Sequence, residues 1–547
     1  MGKRLLGPDA TLSEANTEHL VLYSVDLSPC GRRVMITLLE KGLPFDLVDV
    51  DVSNMQQRSP EYLALNPNGF VPTLSHRGQV IFESGAINEY LEEQFPETPL
   101  MPATPSERAQ VRMWMAAEGA MAKTFRPLMY QRLAGPILHL SRTHDEAIKI
   151  AEKATQEPQD LSWESRVWHL RVLTPEEESD HERALLSWLD KVEEALQGRD
   201  YLVGDFFSQA DISMYPRIAM YRYLGIAIDQ ARYPNVTEWM ARLSRRPSFE
   251  RSMSAEAKRM RSIATSPVFA SVRKTLAVEE TDRSLFGRAK LWCIGQLLRR
   301  ALGVEKLLTS DTILKPLYLP GEVEEGLRPT ALQTPQAMKR PAAGELCLYG
   351  VEASPYTWRL QSLLDMLGMY YRFESVDQTA GEALPLKLLA FNPQQELPVL
   401  VCGEHIINGA DTIAEYLLGS FLSDEVWTAG DSQENALSRM WLALEAGNHK
   451  ELTPLWRRYL CKDESVQFIA DEKLALNRLK FPLGILEHTL AQRPYLCAAK
   501  PSYADLAWKS RIDALALVPD FQVDAFPALA AWYRRMQDVL TPKHELA

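Results

Sequence analysis

The chain has 547 residues, more than one hydrophobic core of about 250–300 residues can serve, so at least two core-bearing units are expected. Its 60 basic and 72 acidic residues leave a net charge of −12, which opposes nonspecific nucleic-acid binding through phosphate neutralisation. Apolar residues at 46% and charged residues at 24% are ordinary for a globular protein. No stretch approaches the roughly 18 apolar residues of a membrane span. Met1–Glu18 is polar and lacks a signal-peptide core, so the expected location is the cytoplasm. The six cysteines, Cys30, Cys293, Cys347, Cys402, Cys461 and Cys497, form no CxxC or Cys/His cluster. A disulfide framework and a metal site are therefore not expected. All but Cys30 read as buried packing residues.

In chain order, His19–Val25 reads as a short buried strand. Cys30–Lys41 carries Val34, Met35, Leu38 and Leu39 at helical spacing and closes at Gly42. Phe45–Val50 alternates like a half-buried strand. Val71–Leu74 and Val80–Phe82 flank a turn at Arg77-Gly78 and predict a hairpin. Ser84–Gln94 is a further helix. Strand, helix, strand, connection, hairpin, helix is the order of a thioredoxin-like α/β layer.

From Thr104 to Met260 the pattern changes to long amphipathic helices. Ser208-Gln209-Ala210-Asp211 has the form of a capping box, with Asp in place of the usual Glu. Leu285–Leu302 is a basic amphipathic stretch with Trp292, Leu297, Arg288, Lys290, Arg299 and Arg300. It reads as a helix packing between two halves, with a membrane-surface helix as the alternative. Pro316–Pro341 is Pro-rich and reads as linker.

The chain is a duplication. Adding 326 to Leu22-Tyr23, Ser28-Pro29, Arg33, Gly42, Asn66-Pro67, Pro72 and Glu89-Tyr90-Leu91 gives Leu348-Tyr349, Ser354-Pro355, Arg359, Gly368, Asn392-Pro393, Pro398 and Glu415-Tyr416-Leu417. Further on the offset falls to 294, matching Tyr201-Leu202 to Tyr495-Leu496 and Ser208 with Ala210-Asp211 to Ser502 with Ala504-Asp505. Pro234 and Trp239 match Pro527 and Trp532 at 293. The first copy is thus longer, with the extra segment expected around Thr143–Asp180. The expected domains are 19–97 and 104–260 in copy one, an insert helix and linker at 261–344, then 345–420 and 430–547 in copy two.

A thioredoxin-like domain followed by a helical domain, with a Ser-Pro-Cys turn and a Val-Pro-Thr-Leu strand, resembles the cytosolic glutathione transferase superfamily. Ser28-Pro29-Cys30-Gly31-Arg32-Arg33-Val34 is similar to the Ser-x-Cys signature of zeta-class enzymes, which include maleylacetoacetate isomerases, and of tetrachlorohydroquinone dehalogenases. The expected fold is α/β plus all-α, duplicated: two thioredoxin-like domains, each followed by an all-helical domain. The resemblance implies glutathione as cofactor and a small electrophile as substrate. Ordinary relatives are dimers, so a fused pair implies an internal pseudo-dimer, with a further homodimer left open.

The implied reaction needs a thiolate, whereas a free thiol with a pKa near about 8.5 is mostly protonated at neutral pH. Ser28 is placed to donate a hydrogen bond to the glutathione sulfur, and it is equally an N-cap. Cys30, in the first turn, either forms a mixed disulfide, as in the dehalogenases, or packs under the turn. Val71-Pro72 matches the family's cis-proline, leaving the Val71 backbone to pair with the cysteinyl part of glutathione. Glu83-Ser84 matches the pair holding the γ-glutamyl end, with a capping pair as the plainer reading. Phe70 departs from the Lys or Gln of many relatives, leaving Arg32 or Arg77 as candidates for the glycine carboxylate. Met113, Trp114, Met115 and Met121 are candidates for the acceptor pocket, or simply core.

In copy two, Glu83-Ser84 becomes Gly409-Ala410 and Cys30 becomes Tyr356. Weak or no glutathione binding is expected there, with partial substitution by Asp411 as the rival. The leading function is a glutathione-dependent transferase. The alternatives are an isomerase or reductive dehalogenase using Cys30, and a non-catalytic interaction protein on the same fold.

Overall fold

Leu20–Ser24 buries five residues in succession, the mark of a strand covered on both faces. In the computed structural model, which describes residues 20–25, 27–77, 79–278, 282–309, 346–376, 397–403, 405–421, 432–447, 455, 458–460 and 472–540, this is strand β1. Helix α1 (Pro29–Glu40) follows, with Pro29 in its first turn and Ser28 as N-cap, then β2 (Phe45–Asp49) and the short α2 (Pro60–Leu65). Strands β3 (Thr73–His76) and β4 (Gln79–Phe82) form the expected hairpin, and α3 is Ser84–Gln94. The sheet order is β2-β1-β3-β4, with β2 parallel to β1 and the other pairs antiparallel. Gly31 is required where it stands, because a Cβ there would collide with the Ser24 side chain of β1.

The helices that follow are α4 (Pro105–Met129), α5 (Gly135–Ser141), α6 (His144–Ala151), α7 (Pro158–Trp168), α8 (Pro175–Ala195), α9 (Gln209–Ile218), α10 (Pro234–Ser244) and α11 (Pro247–Arg251). The expected extra segment of copy one holds α6 and α7. Asp211 does more than close a capping box. Its Oδ2 accepts from the Ser208 N–H at 3.1 Å, and its Oδ1 from the Leu202 N–H at 3.1 Å and Trp239 Nε1 at 2.8 Å. One buried carboxylate therefore ties the start of α9 to the loop before it and to α10.

Beyond residue 254 the structure departs from the expected boundary. Helices α12 (Ala255–Ala264), α13 (Pro267–Leu276), α14 (Leu285–Ala301) and α15 (Val304–Thr309) continue the first unit, and α12 crosses position 260. The basic helix α14 was expected between two halves. Its buried Leu291 instead packs with Val272, Leu276, Leu140 and Leu170, all of the first unit. Gly295 allows the close approach, since a Cβ there would lie 2.6 Å from the Leu140 carbonyl oxygen. Arg299 completes the contact with a two-pronged pair to Glu146 at 2.6 and 2.7 Å, which holds the Glu146 carboxyl down at about 2. The outer side of α14 leaves Leu285, Phe286, Trp292 and Leu297 exposed. Cys293 is also exposed, against the reading that it packs internally; Cys347, Cys402 and Cys497 are buried as expected.

The second unit repeats the plan with β5 (Leu346–Gly350), α16 (Pro355–Met366), β6 (Arg372–Ser375), β7 (Val399–Cys402), β8 (His405–Asn408) and α17 (Ala410–Phe421). Its order, β6-β5-β7-β8, and its register copy the first: Leu22 faces Leu74, and Leu348 faces Leu400. Helices α18 (Ser432–Gly447), α19 (Glu472–Leu490), α20 (Tyr503–Leu515) and α21 (Pro527–Leu540) follow. Asp505 reproduces the Asp211 arrangement, accepting from Ser502 N, Leu496 N and Trp532 Nε1 at 2.9, 2.9 and 2.8 Å. Asn392-Pro393, Cys461, Met1–Glu18 and the Pro316–Pro341 linker lie outside the described residues. Among the described residues no helix is long and apolar enough to cross a membrane.

Candidate functional site

Strand register brings the predicted residues to one end of the first sheet. Tyr23 pairs with Thr73, and Thr73 pairs with Phe82. The chain leaving β1 toward Ser28, the Val71-Pro72 peptide entering β3, and Glu83-Ser84 leaving β4 therefore share that edge. Arg77 lies at the opposite end of the hairpin, about 13 Å along a four-residue strand from Pro72. It does not serve this edge.

The Ser28 side chain accepts from the Gly31 N–H at 3.1 Å, so it is an N-cap. A hydroxyl has two acceptor lone pairs and one proton, so this bond leaves the proton free for another acceptor. Cys30 is half-buried, and Arg217 Nη2 on α9 donates to its Sγ at 3.2 Å. Arg217 in turn meets Glu118 of α4, its Nε 2.5 Å from Oε1, and Arg33 Nη1 of α1 lies 2.7 Å from Oε2. Burial alone would raise the Glu118 pKa, but Arg217 and Arg33 outweigh it and hold the carboxyl below its usual range. Breaking such a buried group by removing one partner costs about 3–5 kcal/mol.

The Val71-Pro72 peptide is cis. The loop before it is built by Asn66, whose Nδ2 donates to the Phe70 carbonyl at 2.8 Å and to Thr73 Oγ1 at 3.1 Å. Tyr62 Oη also donates to the Phe70 carbonyl, at 2.7 Å. Glu83 has φ of 67°, a left-handed conformation that is uncommon outside glycine and often marks functional sites. Asn68 Nδ2 donates to Glu83 Oε1 at 3.3 Å. Part of Glu83 reaches solvent, yet burial is the largest influence on its carboxyl and raises the pKa, against Asn68, Arg126 and Arg33. Ser84 is buried and opens α3.

The Phe70 ring is exposed and carries two guanidiniums, Arg58 at 5.3 Å and Arg126 at 4.6 Å from its centre. Arg32 faces the helical domain instead, donating to Ser252 Oγ and the Phe249 carbonyl at 3.0 Å each. Met121 is core, while Met113, Trp114 and Met115 are half-buried.

Single-chain periodicity missed Asn68, Arg58, Arg126, Glu118 and Arg217. The repeat contained a signal for the last two: Glu118 corresponds to Glu445 at an offset of 327, and Arg217 to Arg511 at 294.

Four family models match the chain. The glutathione S-transferase N-terminal domain matches residues 27–94 and 348–421, and the C-terminal domain matches residues 166–247 and 452–539. Glutathione S-transferase 3 of Zea mays is 32% identical over 43% of this chain and 94% of its own length. Protein LigF of Sphingobium sp. is 32% identical over 42% of this chain and 91% of its own. Maleylacetoacetate isomerase of Dictyostelium discoideum is 32% identical over 42% and 90%. Each relative spans less than half of this chain, as a single unit does.

Proposed function

The chain belongs to the glutathione S-transferase family, and from that premise we propose that its first unit binds glutathione and directs its thiolate at a small electrophile. The observation that carries this reading is the shared sheet edge. It joins a hydroxyl with a free proton at Ser28, a cis Val71-Pro72 peptide, and a half-buried carboxyl beside a helix start at Glu83-Ser84.

In this reading the sulfur lies at Ser28, whose O–H donates to it. The free N–H groups of the first turn of α1 add positive potential, and both favour the thiolate. The Val71 N–H and C=O pair with the extended cysteinyl part. The glutamyl ammonium meets Glu83, and its carboxylate meets the Ser84 hydroxyl and the N-terminus of α3. Arg58 and Arg126, flanking Phe70, supply cations for the glycine carboxylate in place of the absent Lys or Gln.

A second reading is favoured by Arg217 at 3.2 Å from Cys30 Sγ. There the Cys30 thiolate attacks the sulfur of a glutathionyl substrate. The carbon leaves with the bonding electrons and takes a proton, giving a Cys30–glutathione disulfide that a second glutathione reduces.

We further propose that the second unit does not hold glutathione. Its Gly409-Ala410 offers neither carboxylate nor hydroxyl, and Tyr356, in the place of Cys30, sits against Arg359 and Arg511, 4.7 and 4.2 Å from its ring centre. Calorimetric titration tests both readings, with one glutathione per chain expected. No binding sinks the enzymatic reading, and two per chain sinks the silent second unit. Loss of turnover in Ser28→Ala with turnover kept in Cys30→Ala supports the first mechanism, and the reverse pattern supports the second.

A further inference from the structure

Both units contain the same buried cluster, with one difference. Arg359 and Arg511 of the second unit share Glu445 as Arg33 and Arg217 share Glu118: Arg359 Nη1 is 3.3 Å from Glu445 Oε2, and Arg511 Nε pairs with Oε1. Arg359 also places Nη2 on Asp411 Oδ1 at 2.6 Å, and Tyr503 Oη donates to that same oxygen at 3.3 Å. Asp411 is the second residue of α17. Its counterpart at an offset of 326 is Gly85, the second residue of α3.

No side chain fills that place in the first unit. A Cβ on Gly85 would lie 3.0 Å from Arg33 Nη2, and Arg33 Nε is buried without a partner. In direct contact, the second unit thus pairs two guanidiniums with two carboxylates, while the first pairs two with one, Glu118, and the Glu83 carboxyl acts on Arg33 only through space. A buried cation lacking part of its compensation favours any anion that can reach it. The opening at Gly85 adjoins Ser84 and the free N–H groups of α3.

We propose that Arg33 is a ligand-binding residue, receiving through the opening at Gly85 the α-carboxylate of the glutamyl end in the place where the second unit puts its own Asp411. This rests on the reading of the first unit as a glutathione site. It also removes Asp411 as a substitute ligand group in the second unit, since that carboxylate already serves Arg359.

The test compares glutathione with 4-aminobutyryl-cysteinyl-glycine, which lacks only the α-carboxylate, by titration against the full chain. The wild type is expected to prefer glutathione by roughly 10- to 100-fold, the effect of a charge-assisted contact. Gly85→Asp imports the second unit's carboxylate, so that preference disappears while the melting temperature without ligand holds or rises. Gly85→Asn, of equal bulk and no charge, keeps part of the preference. Arg33→Lys, which retains a cation for Glu118 but not the planar fork, loses the preference with the fold intact. A Gly85→Asp variant that keeps the wild-type preference overturns the proposal and leaves the glutathione site standing. So does equal loss in the Asp and Asn variants. A wild type that binds neither ligand overturns both.

Discussion

One oxygen of Ser28 caps α1 through a lone pair that accepts from the Gly31 N–H, and its proton is left for the proposed contact with a glutathione sulfur. The capping and catalytic readings of this residue are therefore not exclusive. Glu83 combines positive φ, an Asn68 contact and a carboxyl pKa raised first of all by burial. A partly desolvated carboxyl of this kind gains from a ligand cation. Its sign fixes a pH dependence: below the raised pKa the group is neutral and pairs poorly with an ammonium, above it the pair forms. Glutathione affinity is expected to climb as pH rises through a value above the ordinary carboxylate pKa of about 4.3. In Glu83→Gln the profile should be flat and the affinity at neutral pH roughly tenfold or more lower. A climb that persists in the Gln variant removes Glu83 from that role. Glu83 and Ser84 were legible as a pair at a strand-to-helix junction, whereas Arg58 and Arg126 were not, because their common point is a ring rather than a sequence spacing.

The capping elements show how local sequence and tertiary packing meet. Ser208-Gln209-Ala210-Asp211 is readable as a helix start, and Trp239 is readable as a repeated position. Their union through the Asp211 carboxylate comes only from the packing of α9 against α10. Truncation in Asp211→Ala leaves the Leu202 and Ser208 N–H groups and Trp239 Nε1 without their acceptor inside the core. Each of the three orphans costs about 1–3 kcal/mol, so a loss of at least about 3 kcal/mol is expected in chemical denaturation of the first unit. Asp211→Asn, which keeps one acceptor oxygen, should lose less; equal losses in the two variants would remove the hydrogen-bonding account. Helix α14 gives the opposite lesson. Its pattern predicted an amphipathic helix correctly, but not which neighbour its face would meet. The Arg299–Glu146 pair and the Gly295 approach to Leu140 join positions about 150 residues apart along the chain.

At the scale of the molecule, the duplication makes each unit a control for the other. The sheets share order and register, the capping aspartates share their partners, and the buried arginines share their carboxylate. The differences at Glu83-Ser84, Cys30 and Gly85 are confined to one edge of the sheet. A ligand that binds one native unit stabilises that unit by mass action, about 2.7 kcal/mol at a hundredfold excess over Kd. Glutathione should accordingly protect amides of residues 20–309 from hydrogen exchange and leave those of 346–540 unchanged. Equal protection of both would show that the second unit also binds.

By itself the sequence determined the duplication, the strand and helix order of the thioredoxin-like layer, the hairpin, the capping boxes and the residue differences between the copies at Glu83-Ser84 and Cys30. The duplication and the residue differences follow from constant offsets between the copies, and the rest from short-range periodicity and local cap chemistry, which act between near neighbours. Only the tertiary structure decided that Arg32 faces away from the site, that α14 completes the first unit, and that Arg33, Glu118, Arg217 and Cys30 form one cluster. Those contacts span 85 to 187 residues of chain, and which charges meet across such distances is set by how buried helices pack, a choice that no local pattern records.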